Sequence, residues 1–300
     1  MTLVVDASRS APAGPSSRLP PSRRSMVHSI EDSIARAALA SLHAELVLSP
    51  KPGLVCPDDR GSHADMDART MIKSIAALGP GFRSIACAAA EGASFARLQA
   101  IGIESEHAML RATGGVNTHR GAIFNIGLLA AAIAHCASHG LARTIGNVRD
   151  TICIEWGRGI DGPPADLASH GAVVAARHGA VGARCEAAAG FPTVFESLWP
   201  ALRDARHRGF DARRSRIHVL MTSIATTIDT NLLYRGGVEG LAFAQRAAQD
   251  FLDRGGVAVA DWEPAQREIG RAFVEHNLSP GGSADLLAAT IFVDRLVEPQ

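Results

Sequence analysis

Four polar clusters interrupt an otherwise apolar, alanine-rich chain. The first, Ser49-Pro50-Lys51-Pro52-Gly53, holds one lysine between two prolines. Proline fixes its own φ, so the ammonium is carried on a stiff loop, though the same residues would also serve as a plain helix stop. The second, Gly61-Ser62-His63-Ala64-Asp65-Met66-Asp67, places two carboxylates two residues apart at an expected helix start. Carboxylates there are favoured by the helix dipole and can simply cap the helix. They also match the one or two carboxylates that Mg²⁺ takes beside water and phosphate oxygens. His63 is better suited to donate a hydrogen bond than to ligate that hard cation.

The third cluster runs Thr113-Gly114-Gly115-Val116-Asn117-Thr118-His119-Arg120-Gly121 and leads straight into an apolar stretch. Glycines let a backbone approach a ligand, and free amides at a helix start attract phosphate. His119 and Arg120 would add charge-assisted bonds, although the cluster also reads as a structural turn. It is not a Walker A loop, because no Lys-Ser/Thr follows the second glycine. The fourth is a pair: Asp229-Thr230-Asn231 with Tyr234-Arg235-Gly236-Gly237, and Leu278-Ser279-Pro280-Gly281-Gly282-Ser283-Ala284-Asp285. Ser283 and Asp285 can cap a helix. Asp229 follows an apolar run, where a charge must find a partner.

The elements that position these clusters read as helices almost throughout. Ser29 followed by Asp32 resembles a capping box, and Ile30, Ile34, Ala37, Ala38, Leu42 and Leu46 recur at helical spacing up to the stop at Pro50. A second helix is expected from Asp65 to Gly79-Pro80. Others are expected near 82–100, 104–112, 120–138, 145–158, 164–177, 192–207, 212–233, 238–253, 262–277 and 283–296. Aromatics are only 5% of the chain and strict apolar–polar alternation is scarce, which argues against strands. The expectation is all-α: one multi-helix domain over 29–300, with residues 1–28 a disordered tail rich in proline, serine and arginine.

Thirty basic and thirty acidic residues cancel. A general nucleic-acid binder needs a surplus of Lys and Arg, so nucleic acid is not an expected partner. No uninterrupted apolar run reaches the roughly 18–20 residues of a membrane span, and no secretory signal is present. Five widely spaced cysteines without a CxxC pair fit a reduced, cytoplasmic protein better than a disulfide framework or a structural zinc site.

Taken in order, SPKPGLV, GSHADMD, ATGGVNTHRGAIF, DTNLLYRGG and LSPGGSADLLA resemble the triphosphoribosyl-dephospho-CoA synthases, and the malonate decarboxylase branch more than the citrate lyase branch. The similarity runs from about Ser33 to the C-terminus. Arg60, Ile228 and Tyr234 depart from the pattern, standing where Asn, an acidic residue and His are usual. The resemblance implies an enzyme that joins ATP and 3′-dephospho-CoA into 2′-(5″-triphosphoribosyl)-3′-dephospho-CoA with release of adenine. The product is the precursor of a malonate decarboxylase carrier's prosthetic group, and a separate carrier-loading transferase is a partner it suggests. It further implies that Lys51, His119 and Arg120 grip the triphosphate with the amides of Gly114 and Gly115. His63, Asn117 and Ser283 would complete the nucleotide site, and Asp65 and Asp67 would hold Mg²⁺. An α-ribosyl product from a β-nucleoside means one inversion, hence a single displacement. Asp229 and Asp285 are the candidate base and oxocarbenium stabiliser. Glu45 stands behind them, since it also fits the first helix's charge pattern. Two alternatives share these residues: a Mg²⁺-dependent N-ribosyl hydrolase, and a non-catalytic nucleotide-binding partner of the decarboxylase.

Overall fold

The structure, a computed structural model, describes residues 29–162, 174 and 182–298. The tail 1–28 and nearly all of the expected helix at 164–177 lie outside the described residues. Among the described residues every regular element is helical. The only extended pairings among them are isolated bridges, Cys56 with Asp59 and Thr144 with Glu298.

α1 (Ile30–Leu46) starts where Ser29 Oγ accepts from the Asp32 amide and buries Ile34, Ala38, Leu42 and Leu46. α2 (Ala68–Ala90) is capped by Asp67, and α3 (Phe95–Thr113) by Ser94. α4 (Arg120–Ser138) is the central rod, packed by α1, α2, α3 and the final helix. By length and composition α4 could cross a membrane, a reading its single apolar segments had not suggested, but 72% of that stretch is buried inside the protein. A helix enclosed on all sides is apolar all round.

α5 (Ile145–Thr151) passes through a π turn, Ile152–Trp156, into α6 (Gly157–Ile160). α7 (Ala183–Ala188) follows, then a π turn at Thr193–Leu198 that leads into α8 (Trp199–His207). α9 (Ala212–Thr226) pairs with α10 (Thr230–Asp253), which kinks at Gly237. α11 (Trp262–Glu275) and α12 (Gly281–Leu296) complete the chain, and α12 lies against α1 and α4.

Three boundaries differ from the sequence expectation. α2 does not stop at Gly79-Pro80 but carries Pro80 in its interior. Losing that rung costs about 3 kcal/mol, whereas Leu78, Phe82, Ile85, Ala86 and Ala89 bury one continuous face on both sides of it. Burial of even two large side chains offsets the loss. Gly81 is required there for a second reason: a Cβ would overlap Ser105 of α3. The break expected near 100–104 falls instead at Glu91–Ser94, where Gly92 takes a positive φ and Ser94 caps α3. The apolar run expected over 212–233 is two helices, and Asp229 starts the second rather than ending the first.

Candidate active site

The start of α4, the end of α1, the start of α10 and the start of α12 meet around a group of buried polar side chains. Glu45 closes α1 and Lys51 sits on the loop behind it. Lys51 Nζ donates to Glu45 Oε1 at 2.5 Å and to the Glu45 carbonyl at 2.8 Å, with the two side chains only 1% and 6% exposed. Two buried charges so paired are hydrogen-bonded as well as neutralised, the condition under which burial is tolerated. The loop reaches this position across a cis Ser49–Pro50 peptide. At Gly53 a Cβ would overlap the Leu278 carbonyl, so only glycine lets the loop press against the turn before α12.

Asp229 is buried and serves two helix starts. Its Oδ1 accepts from the amides of Asn231 (2.9 Å) and Leu232 (3.3 Å) in its own helix. Its Oδ2 accepts from the amide (2.8 Å) and hydroxyl (3.1 Å) of Ser283 in α12. Burial pushes its carboxyl upward, and these donors oppose that rise. A Cβ on Gly282 would come within 3.1 Å of the same carboxyl group.

Asp285, one turn into α12, points at the start of α4. It accepts from the Ala122 amide, and its Oδ2 lies so close to Gly121 that a Cβ there would overlap it. Protein atoms surround the carboxyl deeply, yet the residue keeps some solvent-exposed surface. Burial raises its carboxyl well above the usual range, and the charges of Glu45 and Asp229 raise it further. The single opposing donor is too little to reverse this.

His119 is the N-cap of α4 and is buried beside Lys51. Burial, and secondarily the Lys51 charge, pull its pKa down to about 3, so the ring is neutral. Its Nδ1 lies 2.6 Å from Ser74 Oγ, which in turn accepts from Thr118 Oγ1 at 2.7 Å. Ser74 and Thr118 are members of the site that sequence reasoning missed. A faint signal existed, since Ser74 falls on the apolar face of α2 among Met71, Ile75 and Leu78.

The remaining residues lie around this group. His63 Nε2 meets Ser279 Oγ at 2.9 Å, and its Nδ1 meets Arg235 Nη2 at 3.2 Å. Burial and the Arg235 charge lower the His63 pKa. Arg235 also donates to the Ser62 carbonyl and to Asn277, tying the GSH loop to the turn before α12.

Asp67 caps α2 through Thr70, its Oδ2 takes Arg60 at 3.2 Å, and Thr70 holds its carboxyl below the usual range. Asp65 is 61% exposed beside His63. Of the Asp65–Asp67 pair, Asp67 spends Oδ1 on capping α2, and its Oδ2 would have to exchange the exposed Arg60 for a Mg²⁺ ion. No cluster of three His, Cys, Asp or Glu side chains arranged to hold a metal occurs among the described residues. A hollow of about 210 Å³ beside Asp67, lined by Cys56, Asp58, Asp59 and Arg60, contains none of the buried carboxylates.

Gly114 and Gly115 take positive φ to end α3, with both amides directed at the Leu110 carbonyl. Asn117 Oδ1 accepts from the Arg120 amide at 3.3 Å. The Arg120 guanidinium pairs with Glu106 at 3.0 Å. The departures Ile228 and Tyr234 are exposed at the surface.

The geometry therefore brings Glu45, Lys51, His119, Asp229, Ser283 and Asp285 together, with His63 joined to the turn before α12 through Ser279. It leaves Asp65, Asp67, Gly114, Gly115, Asn117 and Arg120 at the rim. A family model described as ATP:dephospho-CoA triphosphoribosyl transferase (CitG) matches residues 31–300. The chain belongs to this family. It is a transferase of the triphosphoribosyl-dephospho-CoA synthase type.

The 2-(5''-triphosphoribosyl)-3'-dephosphocoenzyme-A synthase of Pectobacterium atrosepticum is 40% identical over 276 residues, 88% of either chain. A protein of Azotobacter vinelandii named "Probable 2-(5''-triphosphoribosyl)-3'-dephosphocoenzyme-A synthase" is 40% identical over 273 residues, covering 89% of this chain and 92% of its own. An Acinetobacter calcoaceticus protein of the same name is 35% identical over 263 residues, 87% and 89% of the two chains. No solved structure matches this triphosphoribosyl transferase.

Proposed function

We propose that this enzyme joins ATP and 3′-dephospho-CoA to give 2′-(5″-triphosphoribosyl)-3′-dephospho-CoA and adenine, and that the product serves a malonate decarboxylase carrier by way of a carrier-loading transferase. The family supports the reaction, and the ordered sequence segments support the malonate branch. Because both substrates are intracellular metabolites, the proposed location is the cytoplasm. Magnesium is proposed as the counter-ion of the substrate's triphosphate rather than as a resident ion.

The observation that carries the reading is Asp285: an enclosed carboxyl that keeps some exposed surface and is biased toward its protonated form by burial and by two neighbouring carboxylates. The 2′-hydroxyl oxygen attacks C1′ of the ATP ribose while the C1′–N9 bond breaks and its electron pair leaves with the purine. Asp285 supplies a proton to that purine, as a general acid with a raised pKa can. Glu45, whose Oε1 is held by Lys51, takes the proton of the attacking hydroxyl on the opposite face. The negative charge of Asp229 steadies the cation-like ribose through its fixed position. The two protons balance, and solvent resets both carboxyl groups.

Incubation of the full chain with ATP, Mg²⁺ and dephospho-CoA, followed by mass analysis, tests the proposal. Free adenine and the triphosphoribosyl adduct in equal amounts are expected. Adenine released without dephospho-CoA would instead establish a hydrolase. ATP binding with no adenine under any condition would reduce the protein to a nucleotide-binding partner.

A further inference from the structure

The buried histidine at the start of α4 has one nitrogen whose bond the protein itself does not supply. Thr118 Oγ1 donates to Ser74 Oγ, and Ser74, fully buried with no other acceptor among the described residues, has only His119 Nδ1 to take its own proton. Nδ1 is then the acceptor, and in a neutral ring the proton resides on Nε2. That Nε2 is buried and has no hydrogen-bond partner among the described residues. His119 is only 3% exposed, so water does not freely take the bond. A buried donor left unpaired loses its water without a replacement partner, and two hydroxyls hold the ring in the tautomer that leaves it so.

The surroundings select the acceptor. Asp285 abuts Gly121 and accepts from Ala122, within the first turn of the helix that His119 caps. Glu45 and Asp229 carry their charges close to Asp285. This set offers a triphosphate no free positive charge, because Lys51, the buried cation beside it among the described residues, is already paired with Glu45. A sugar hydroxyl or ring oxygen is uncharged and suits a neutral donor.

We infer that His119 is a substrate-positioning donor whose Nε2–H binds an oxygen of the nucleotide's ribose, with Ser74 and Thr118 fixing its tautomer. The inference rests on the transfer reaction proposed above and adds the ribose contact to it.

The test uses full-length protein labelled with ¹⁵N-histidine, with His119 assigned from the spectrum of His119→Gln. The free protein is expected to show His119 neutral, with the proton on Nε2. Adding ATP should move the Nε2 resonance, whereas inorganic tripolyphosphate alone should leave it in place. A proton on Nδ1, a charged ring, a shift with tripolyphosphate alone, or no shift with ATP would each overturn the inference. His119→Ala should raise the KM for ATP about tenfold or more. His119→Gln, which offers an amide donor near the Nε2 position, should recover most of that loss. Equal damage from both would also overturn it. Adenine release by the wild-type protein is measured in parallel: its absence with the ATP-induced shift intact would count against the transfer reaction, not against the histidine contact.

Discussion

Asp285→Asn separates stability from chemistry at one atom. The asparagine amide fills the same space and its Oδ1 can keep the bond from the Ala122 amide. What it lacks is the acidic proton and the ability to ionise. Asp285 has a raised pKa in the folded protein and an ordinary one, about 3.9, when unfolded. Below the unfolded value both states hold the proton and the residue costs nothing. As pH rises through that value the unfolded chain releases its proton first, so folded stability falls until the folded pKa is reached. Every tenfold by which the folded site prefers the proton lowers stability by about 1.4 kcal/mol at neutral pH. The asparagine variant escapes that loss and should melt higher than wild type at pH 7, by roughly 2 °C or more per kcal/mol. The difference should vanish near pH 3. Its kcat for adenine release should fall about 10²-fold or more, the range for loss of a general acid. Calorimetry across pH with coupled turnover assays measures both. A variant that turns over normally, or that melts lower than wild type at pH 7 with an unchanged pH slope, would refute the assignment.

Wild-type kcat should decline as pH rises through the raised Asp285 value, above the ordinary carboxylate range, and a flat profile there would remove its role as acid. Gly121→Ala places a methyl group on Asp285 Oδ2 in a helix that otherwise accepts alanine, so kcat should fall at least about tenfold with helical circular dichroism unchanged. Asp229→Asn must turn an amide donor or a weaker acceptor toward the Ser283 and Asn231 amides, and a loss of about 2–4 kcal/mol in denaturant unfolding is expected. Lys51→Met leaves the Glu45 carboxylate buried and alone, a loss of about 3–5 kcal/mol by the same measurement, and Glu45→Gln in that background should restore part of it.

The helical class was legible because its cause is local: alanine-rich runs with apolar residues three and four apart admit little else. Boundaries failed where packing outweighed a local rule. Pro80 is a sound stop signal, but no window of sequence shows that Phe82 and Ile85 continue the buried face laid down by Ser74 and Leu78. The Thr227–Asp229 break failed for the opposite reason. Asp229 reads naturally as an acidic residue closing an apolar helix, and only the position of Ser283, 54 residues later, reveals it as the cap of two other helices.

The polar clusters were legible as a set, but their charge states were not. Lys51 and His119 were read as cations for a triphosphate because lysine and histidine commonly serve that way in isolation. In the folded chain Lys51 answers Glu45 and His119 is neutral, while three carboxylates converge within reach of one another's charge. Lys51, the buried cation of this group, is already paired with Glu45, so the group offers a triphosphate no free positive charge. A ribose on the way to an oxocarbenium ion gains a great deal. The buried centre is therefore suited to C1′ and the leaving purine. In the proposed reaction the triphosphate would lie toward the rim, where Arg120 and the turn at Gly114 and Gly115 meet solvent. In the proposed reaction, breaking the glycosidic bond while leaving the phosphoanhydrides intact requires the triphosphate to be held apart from the carboxyl groups that act on C1′.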